Sequence, residues 1–443
     1  MEEIYYPLTT SQHLMMLSEE AAGTSVVTNL CMLMHFMKPV DHELLLQAAT
    51  LATMRNKTAS IRLTRKGNQM VQYFSDQPPL PIVVRHYEIG QEAMMSQDLN
   101  LWRQEAFPNA GMDVQLFSVI MLQKPDGLWS IFFRFSNTAF DTYVLMNMAA
   151  DTLHIYNALK EAHALPAMRM DPFRNYAAER AYLQSPQFER DIQFWQDIFR
   201  DAPSYSSLNP AENDGDVWKP VARNTQAQSL TLSISAKLVE RINICAREMK
   251  VSPQVFYLLA VRACLSSAGN GQEDITFTNT LARRATLEQK RAGGTMVQAV
   301  LFRMNFSNQL SFRDACVELH HLQYLYYAHA ALPMGVLVEK CLPQVPLGGS
   351  YGSVGFSFQP FFLPQDTDLP VRFEKLSSGA STMPLMLNVF AADASGALVC
   401  HYDYQTAQLN EEMIHACHRF LLNFLQSAVE HPDESLDALM KMS

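Results

Sequence analysis

The stretch from Gly127 to Leu159 constrains this chain most. It opens with a dense apolar and aromatic block, Gly-Leu-Trp-Ser-Ile-Phe-Phe-Arg-Phe. A short polar turn follows, Ser136-Asn137-Thr138-Ala139-Phe140-Asp141-Thr142. A second apolar block then carries Val144, Leu145, Met148 and Leu153 at helical spacing. The first block has no helical stripe, so it reads as a strand buried on both faces. A tight strand-to-helix turn of this kind sets side chains at the rim of a core without burying them. Asn137 and Asp141 are therefore the candidate site residues.

At 443 residues the chain is too long for one hydrophobic core, and two domains of roughly 200 residues each are expected. Hydrophobic residues at 48% and charged residues at 18% exclude global disorder. The formal net charge of -10 argues against nucleic acid as a partner, because phosphate binding needs a concentrated basic face. Seven cysteines are scattered from Cys31 to Cys417 without paired short spacings. That pattern suits reduced thiols in a cytoplasmic protein rather than a disulfide framework. The start, Met-Glu-Glu-Ile-Tyr, lacks the features of a signal peptide. No apolar run approaches the ~20 residues that span a bilayer, so no membrane partner is expected.

Taken in order, Val26 to Met37 reads as a strand, and Asp41 caps a helix bearing Leu44, Leu45, Ala48 and Leu51. Lys66-Gly67-Asn68 joins two short strands as a hairpin. After Pro78-Pro79 come a strand from Ile82 to Arg85, a helix through Trp102, and strands Val114 to Leu122 and Leu128 to Phe135. In the second half, Tyr176 to Phe199 reads as one aromatic helix and Gln228 to Ser235 as a strand. Ser252-Pro253 opens a helix, Asp274 to Thr280 is a strand, Arg283 to Gly294 a charged loop, and Val297 to Phe306 a strand. A helix from Phe312 to Ala331, strands near 351–359, 384–391 and 398–404, and a helix from Asn410 complete the chain. Strands and helices mix in both halves, which gives an α/β class.

Several patterns carry a sharp and a plain reading. Asp141 is either a site residue or a helix N-cap; Asn137 is either a substrate-binding amide or a turn-former. Gly348-Gly349-Ser350-Tyr351-Gly352 matches the nucleophile-elbow pattern, yet a strand rather than a helix follows it. His320-His321 lies within a helix as a half-packed, half-solvated pair. His415 and His418 are helical neighbours without a supporting carboxylate, so no metal site is expected. Arg283, Arg284, Lys290 and Arg291 form a basic run that either docks an acidic carrier and its phosphate arm or is solvated loop charge.

With these landmarks placed, the chain resembles the condensation-domain family of nonribosomal peptide synthetases. Tyr6-Pro7-Leu8-Thr9-Thr10-Ser11-Gln12 is similar to that family's first motif, and Asp171-Pro172-Phe173-Arg174-Asn175-Tyr176-Ala177 to its aromatic-x-acid-Tyr-Ala segment. Gly294-Thr295-Met296-Val297-Gln298 resembles its Gly-x-x-Val-Asn strand, and His329-Ala330-Ala331-Leu332-Pro333 stands at its His-Gln-Asp-x-Pro segment. The family's central motif, His-His-x-x-x-Asp-Gly, falls on Ser136, Asn137, Asp141 and Thr142, and only the aspartate is kept.

The resemblance implies two chloramphenicol-acetyltransferase-like α/β lobes in a V arrangement, with a tunnel between them passing Asn137. Residues 1–172 would form the N-terminal lobe and 173–443 the C-terminal lobe. It implies no directly bound cofactor, but the phosphopantetheine arm of a partner peptidyl or acyl carrier protein, together with partner synthetase modules or a tailoring enzyme. Arg283 and Arg284 are the candidates to meet that arm. Ser136, Asn137 and Asp141 are the candidate catalytic positions. The family's aspartate bonds an arginine beneath the motif, a place where Ser60 stands here and for which Arg62 is the nearest substitute. Asn137 cannot take a proton at ordinary pH, so the expectation is a degenerate domain that binds carrier-tethered acyl or peptidyl groups, or recruits a partner, without efficient amide formation. The alternative is an active acyltransferase making an amide or ester by proximity, with Asn137 orienting the nucleophile.

Overall fold

A computed structural model describes residues 4–108, 113–167, 171–209, 219–220, 225–284, 286–342, 349–350, 352–360 and 369–443. The chain is a mixed α/β protein that divides into two compact units. The first comprises Met1–Leu183 together with Ala282–Val297 and Phe362–Ala380; the second comprises Gln184–Leu281, Gln298–Phe361 and Ser381–Ser443. The division is thus not a single cut at residue 172. The reason is hydrogen bonding: two late segments are tied into the first unit through a strand and a buried ion pair described below.

The first unit is built on a five-stranded sheet. Its order is Val371–Leu376, Asn29–Phe36, Trp129–Ser136, Phe117–Gln123 and Val83–His86. Trp129–Ser136, third in that order, is buried along its whole length, in keeping with its dense apolar and aromatic sequence. One face packs Met32, Met34, Phe133 and Phe135 against the helices His42–Met54 and Thr142–Lys160. The other packs Leu33, Ile120 and Phe132 against Met95, Leu99 and Trp102 of the helix Glu92–Gln104. A second, three-stranded sheet joins Tyr6–Pro7, Gln69–Phe74 and Ile61–Lys66. Asp41 caps its helix as expected, its Oδ1 accepting from the Glu43 and Leu44 N–H groups.

The second unit carries a six-stranded sheet in the order Gln298–Asn305, Asp274–Leu281, Val354–Gln359, Leu385–Phe390, Leu398–Gln405, Ala227–Ile234. The helix Gln254–Ala268 is apolar nearly all round and buried accordingly. The helix Glu411–Glu430, capped by Asn410, buries only Ile414, His418, Leu421 and its other core-facing residues. Among the described residues no helix is long and apolar enough to cross a membrane.

Some local expectations change. The single helix from Tyr176 to Phe199 is two, Phe173–Leu183 and Pro186–Ile198. Pro186 disfavours helical geometry at Ser185 and is accommodated in the first turn of the second helix. The charged loop from Arg283 contains a short helix, Leu287–Arg291, opened by a Thr286–Gln289 capping box.

Candidate functional site

The Trp129–Ser136 strand ends at its pairing with Asn29, and the chain then turns sharply into the helix Thr142–Lys160. Ser136 makes the turn. Its carbonyl accepts from the N–H groups of Ala139 and Phe140, both at 3.0 Å. Its hydroxyl lies 2.5 Å from that of Thr138. With 1% of its surface exposed, Ser136 holds the turn and presents nothing to solvent.

Asn137 is fixed by its backbone, its N–H donating to the Thr28 carbonyl at 2.9 Å. Its side chain is different. Oδ1 is buried and has no hydrogen-bond partner among the described residues. An acceptor left in that state costs about 1–3 kcal/mol.

Asp141 is fully engaged. Oδ1 accepts from Val144 N–H at 2.9 Å, which caps the following helix. Oδ2 accepts from Arg284 at 2.8 Å and from the Met296 N–H at 3.0 Å. The N-cap role and the arginine-bound role are therefore both filled by one carboxylate. The arginine is not Arg62, which donates instead to the Ala59 and Ile61 carbonyls, both at 2.9 Å. It comes from 143 residues further along the chain.

Arg284 donates to four oxygens: Asp141, and the carbonyls of Gln289, Ala292 and Gly294 at 2.7 Å each. Its side chain is 1% exposed and lies over the Tyr143 ring. Burial pushes the Tyr143 hydroxyl above its ordinary range, against the opposing charge of Arg284. Thr58 closes the arrangement by accepting the Gly294 N–H at 3.1 Å. Arg283 is also held, donating to the Met296 carbonyl, the Ser11 hydroxyl and Glu179. Burial lowers its pKa, with Glu179 opposing. Of the basic run, only Lys290 and Arg291 are exposed. Solvated loop charge describes that second pair; of the first, Arg284 is buried and Arg283 half-buried, both held by contacts within the fold.

The other patterns resolve structurally where they are described. His418 is buried, with Nδ1 2.9 Å from the Tyr402 hydroxyl, and His415 faces Glu411 on its own helix. Among the described residues no cluster of ligating side chains suits a metal ion. Of the elbow pattern, Gly348 and Tyr351 lie outside the described residues; Gly349–Ser350 is a two-residue strand paired with Lys219–Pro220, and the next element, Val354–Gln359, is a strand. An elbow needs a helix there. The sequence reading missed Thr28, Thr58 and the Met296 N–H, because backbone groups and a lone threonine leave no mark in a motif.

The family model described as "Condensation domain" matches residues 2–443. Surfactin synthase subunit 1 of Bacillus subtilis (strain 168) is 22% identical over 452 aligned residues, which take in 100% of this chain and 12% of that protein. Bacitracin synthase 1 of Bacillus licheniformis is 22% identical over 296 residues, covering 64% of this chain and 5% of the relative. The chain thus spans only a small fraction of the length of either. Among solved structures, the first condensation domain of the CDA synthetase matches with a TM-score of 0.84 at 18% identity, covering 98% of each chain. VibH, an NRPS condensation enzyme, matches with a TM-score of 0.78 at 17% identity, covering 96% of this chain and 99% of that one. A turn built like a condensation motif, a fold shared along the whole chain and a family match from end to end agree: this chain belongs to the condensation-domain family of nonribosomal peptide synthetases.

Proposed function

We propose that this domain binds acyl or peptidyl groups tethered to the phosphopantetheine arm of a carrier protein and does not form amides efficiently. The observation that carries the reading is the contrast within one turn. The structural half of the motif is complete, with Asp141 bonded to Val144, Arg284 and Met296. The chemical half is absent, with an amide at 137 where a proton acceptor belongs. A general base contributes about 10²–10⁴ in rate, so its loss slows transfer severely.

A second reading is favoured by the unpartnered Asn137 Oδ1. Alignment of two reactants alone is worth about 7–11 kcal/mol. An amide oxygen that accepts from an incoming amine would supply part of that alignment, and the domain would then be a slow acyltransferase. The two readings separate by intact mass. Purified protein is incubated with acyl-loaded and acceptor-loaded carriers. The first reading expects binding with no condensed product; product made by wild type and lost in Asn137→Ala establishes the second. Restoring the motif as Ser136→His with Asn137→His is expected to raise product by about two orders of magnitude or more under either reading.

A further inference from the structure

All seven cysteines are free thiols, and two of them meet. Cys264, on the helix Gln254–Ala268, and Cys417, on the helix Glu411–Glu430, stand with their sulfurs 3.5 Å apart. Both helices belong to the second unit and pack directly on each other. A neutral thiol is a weak donor and a weak acceptor, so the contact by itself holds little. Turning it into a bond of about 2.05 Å asks the sulfurs to close by roughly 1.5 Å.

The surroundings leave room for that movement. A cavity opens between the same two helices, lined by Ala260 and Val261 of one, His418 and Leu421 of the other, and Cys400 of the sheet. Protein interiors are ordinarily close-packed, so a gap at this contact gives the helices slack to approach. Exposure divides the pair. Cys417 is half-buried, whereas Cys264 is only 8% exposed. A dissolved oxidant therefore reaches Cys417 first. The hydrogen bond with Cys417, and then burial, push the Cys264 thiol well above its ordinary value, so it resists direct oxidation. Cys400, the third sulfur at this cavity, is buried as well, and burial pushes its thiol up to about 12.

We propose that Cys264 and Cys417 form an oxidative modification site, at which a hydroperoxide converts the two thiols into a disulfide joining the two helices. In the first step the Cys417 sulfur attacks one peroxide oxygen and the O–O bond breaks. The departing hydroxide takes the thiol proton as water, and Cys417 is left as a sulfenic acid. In the second step the Cys264 sulfur attacks the Cys417 sulfur and the S–O bond breaks. The hydroxide that leaves takes the Cys264 proton as a second water. Two thiols have then given up two electrons and two protons, and the peroxide has been reduced to two waters. Added thiol reverses the change by exchange. The bond closes a loop across 153 residues of chain, which restricts the unfolded state and stabilises the folded one.

The test uses the whole chain, reduced and then titrated with hydrogen peroxide. Remaining thiols are blocked before digestion, and linked peptides are identified by mass. Wild type should become two hydrogens lighter, lose two of its seven titratable thiols, and yield a peptide joining Cys264 to Cys417. Its thermal midpoint should rise by about 5 °C or more and return with dithiothreitol. Cys264→Ala should stop at the sulfenic acid, captured on Cys417 by dimedone, and Cys417→Ser should lose neither effect-bearing thiol. Seven thiols surviving peroxide in folded wild type overturn the site, as does a bond between any other pair, Cys400 with Cys417 included. Loss of two thiols in Cys264→Ala overturns the part given to Cys264. A linked pair with an unchanged or lower midpoint shows a bond forced on a distorted fold and overturns it too.

Discussion

At the residue scale the decisive feature is a carboxylate with no spare capacity. Asp141 spends both oxygens on the fold, and Arg284 spends its two terminal nitrogens on Asp141 and three carbonyls. Removing one partner of a buried pair costs about 3–5 kcal/mol, since the other charge stays buried and unpaired. Arg284→Met is expected to lower stability by that amount in urea denaturation. Arg284→Lys should recover less than half of it, because an ammonium cannot reach four oxygens spread around a planar guanidinium. The aspartate was legible in the sequence, because an N-cap followed by a helical stripe is a local pattern. Its arginine was not. A pairing across 143 residues leaves no periodic trace, and Arg62 attracted the assignment only by lying close to the family's usual position.

At the scale of elements, most boundaries could be read because caps and turns are local chemistry. Gly127 takes a positive φ of 82° in a turn whose Lys-Pro-Asp-Gly sequence announces it. The strand Val371–Leu376 escaped although Val-Arg-Phe-Glu-Lys-Leu nearly alternates, since a short strand flanked by polar residues gives little signal by itself. Gly352 closes the elbow-like pattern for a reason of packing: a Cβ there would sit 2.3 Å from the Thr276 carbonyl oxygen. Gly352→Ala should cost about 1–3 kcal/mol by calorimetry or denaturation, whatever happens at Ser350. His418 makes the helix Glu411–Glu430 sensitive to acid. Burial lowers its pKa in the folded protein, while the unfolded chain takes up a proton near pH ~6.5. The unfolded state therefore binds more protons as pH falls, and stability drops below that pH. His418→Gln should flatten the loss of thermal midpoint between about pH 7 and about pH 5.

At the scale of the whole molecule, the chain returns to its first unit twice after leaving it. The first return brings Arg284, Gly294 and Met296 to the motif turn; the second brings the strand that pairs with Asn29–Phe36, from Val371 against Phe36 to Leu376 against Cys31. Phe373 belongs to the same core as Met34 and Phe133 and is 1% exposed. Phe373→Ala is expected to lose about 3–5 kcal/mol, measured as a shift in the unfolding transition of the first unit. A substitution far along the chain from the motif should thus weaken the sheet that carries it.

The late arrival of that strand has a consequence for biosynthesis. Until residue 376 has left the ribosome, the Asn29–Phe36 strand has its hydrogen-bonding edge open to any neighbouring nascent chain. At about 5–20 residues per second that interval lasts on the order of tens of seconds. Translation speed and chaperone cover, rather than equilibrium stability, should then decide how much of this protein a cell recovers in native form.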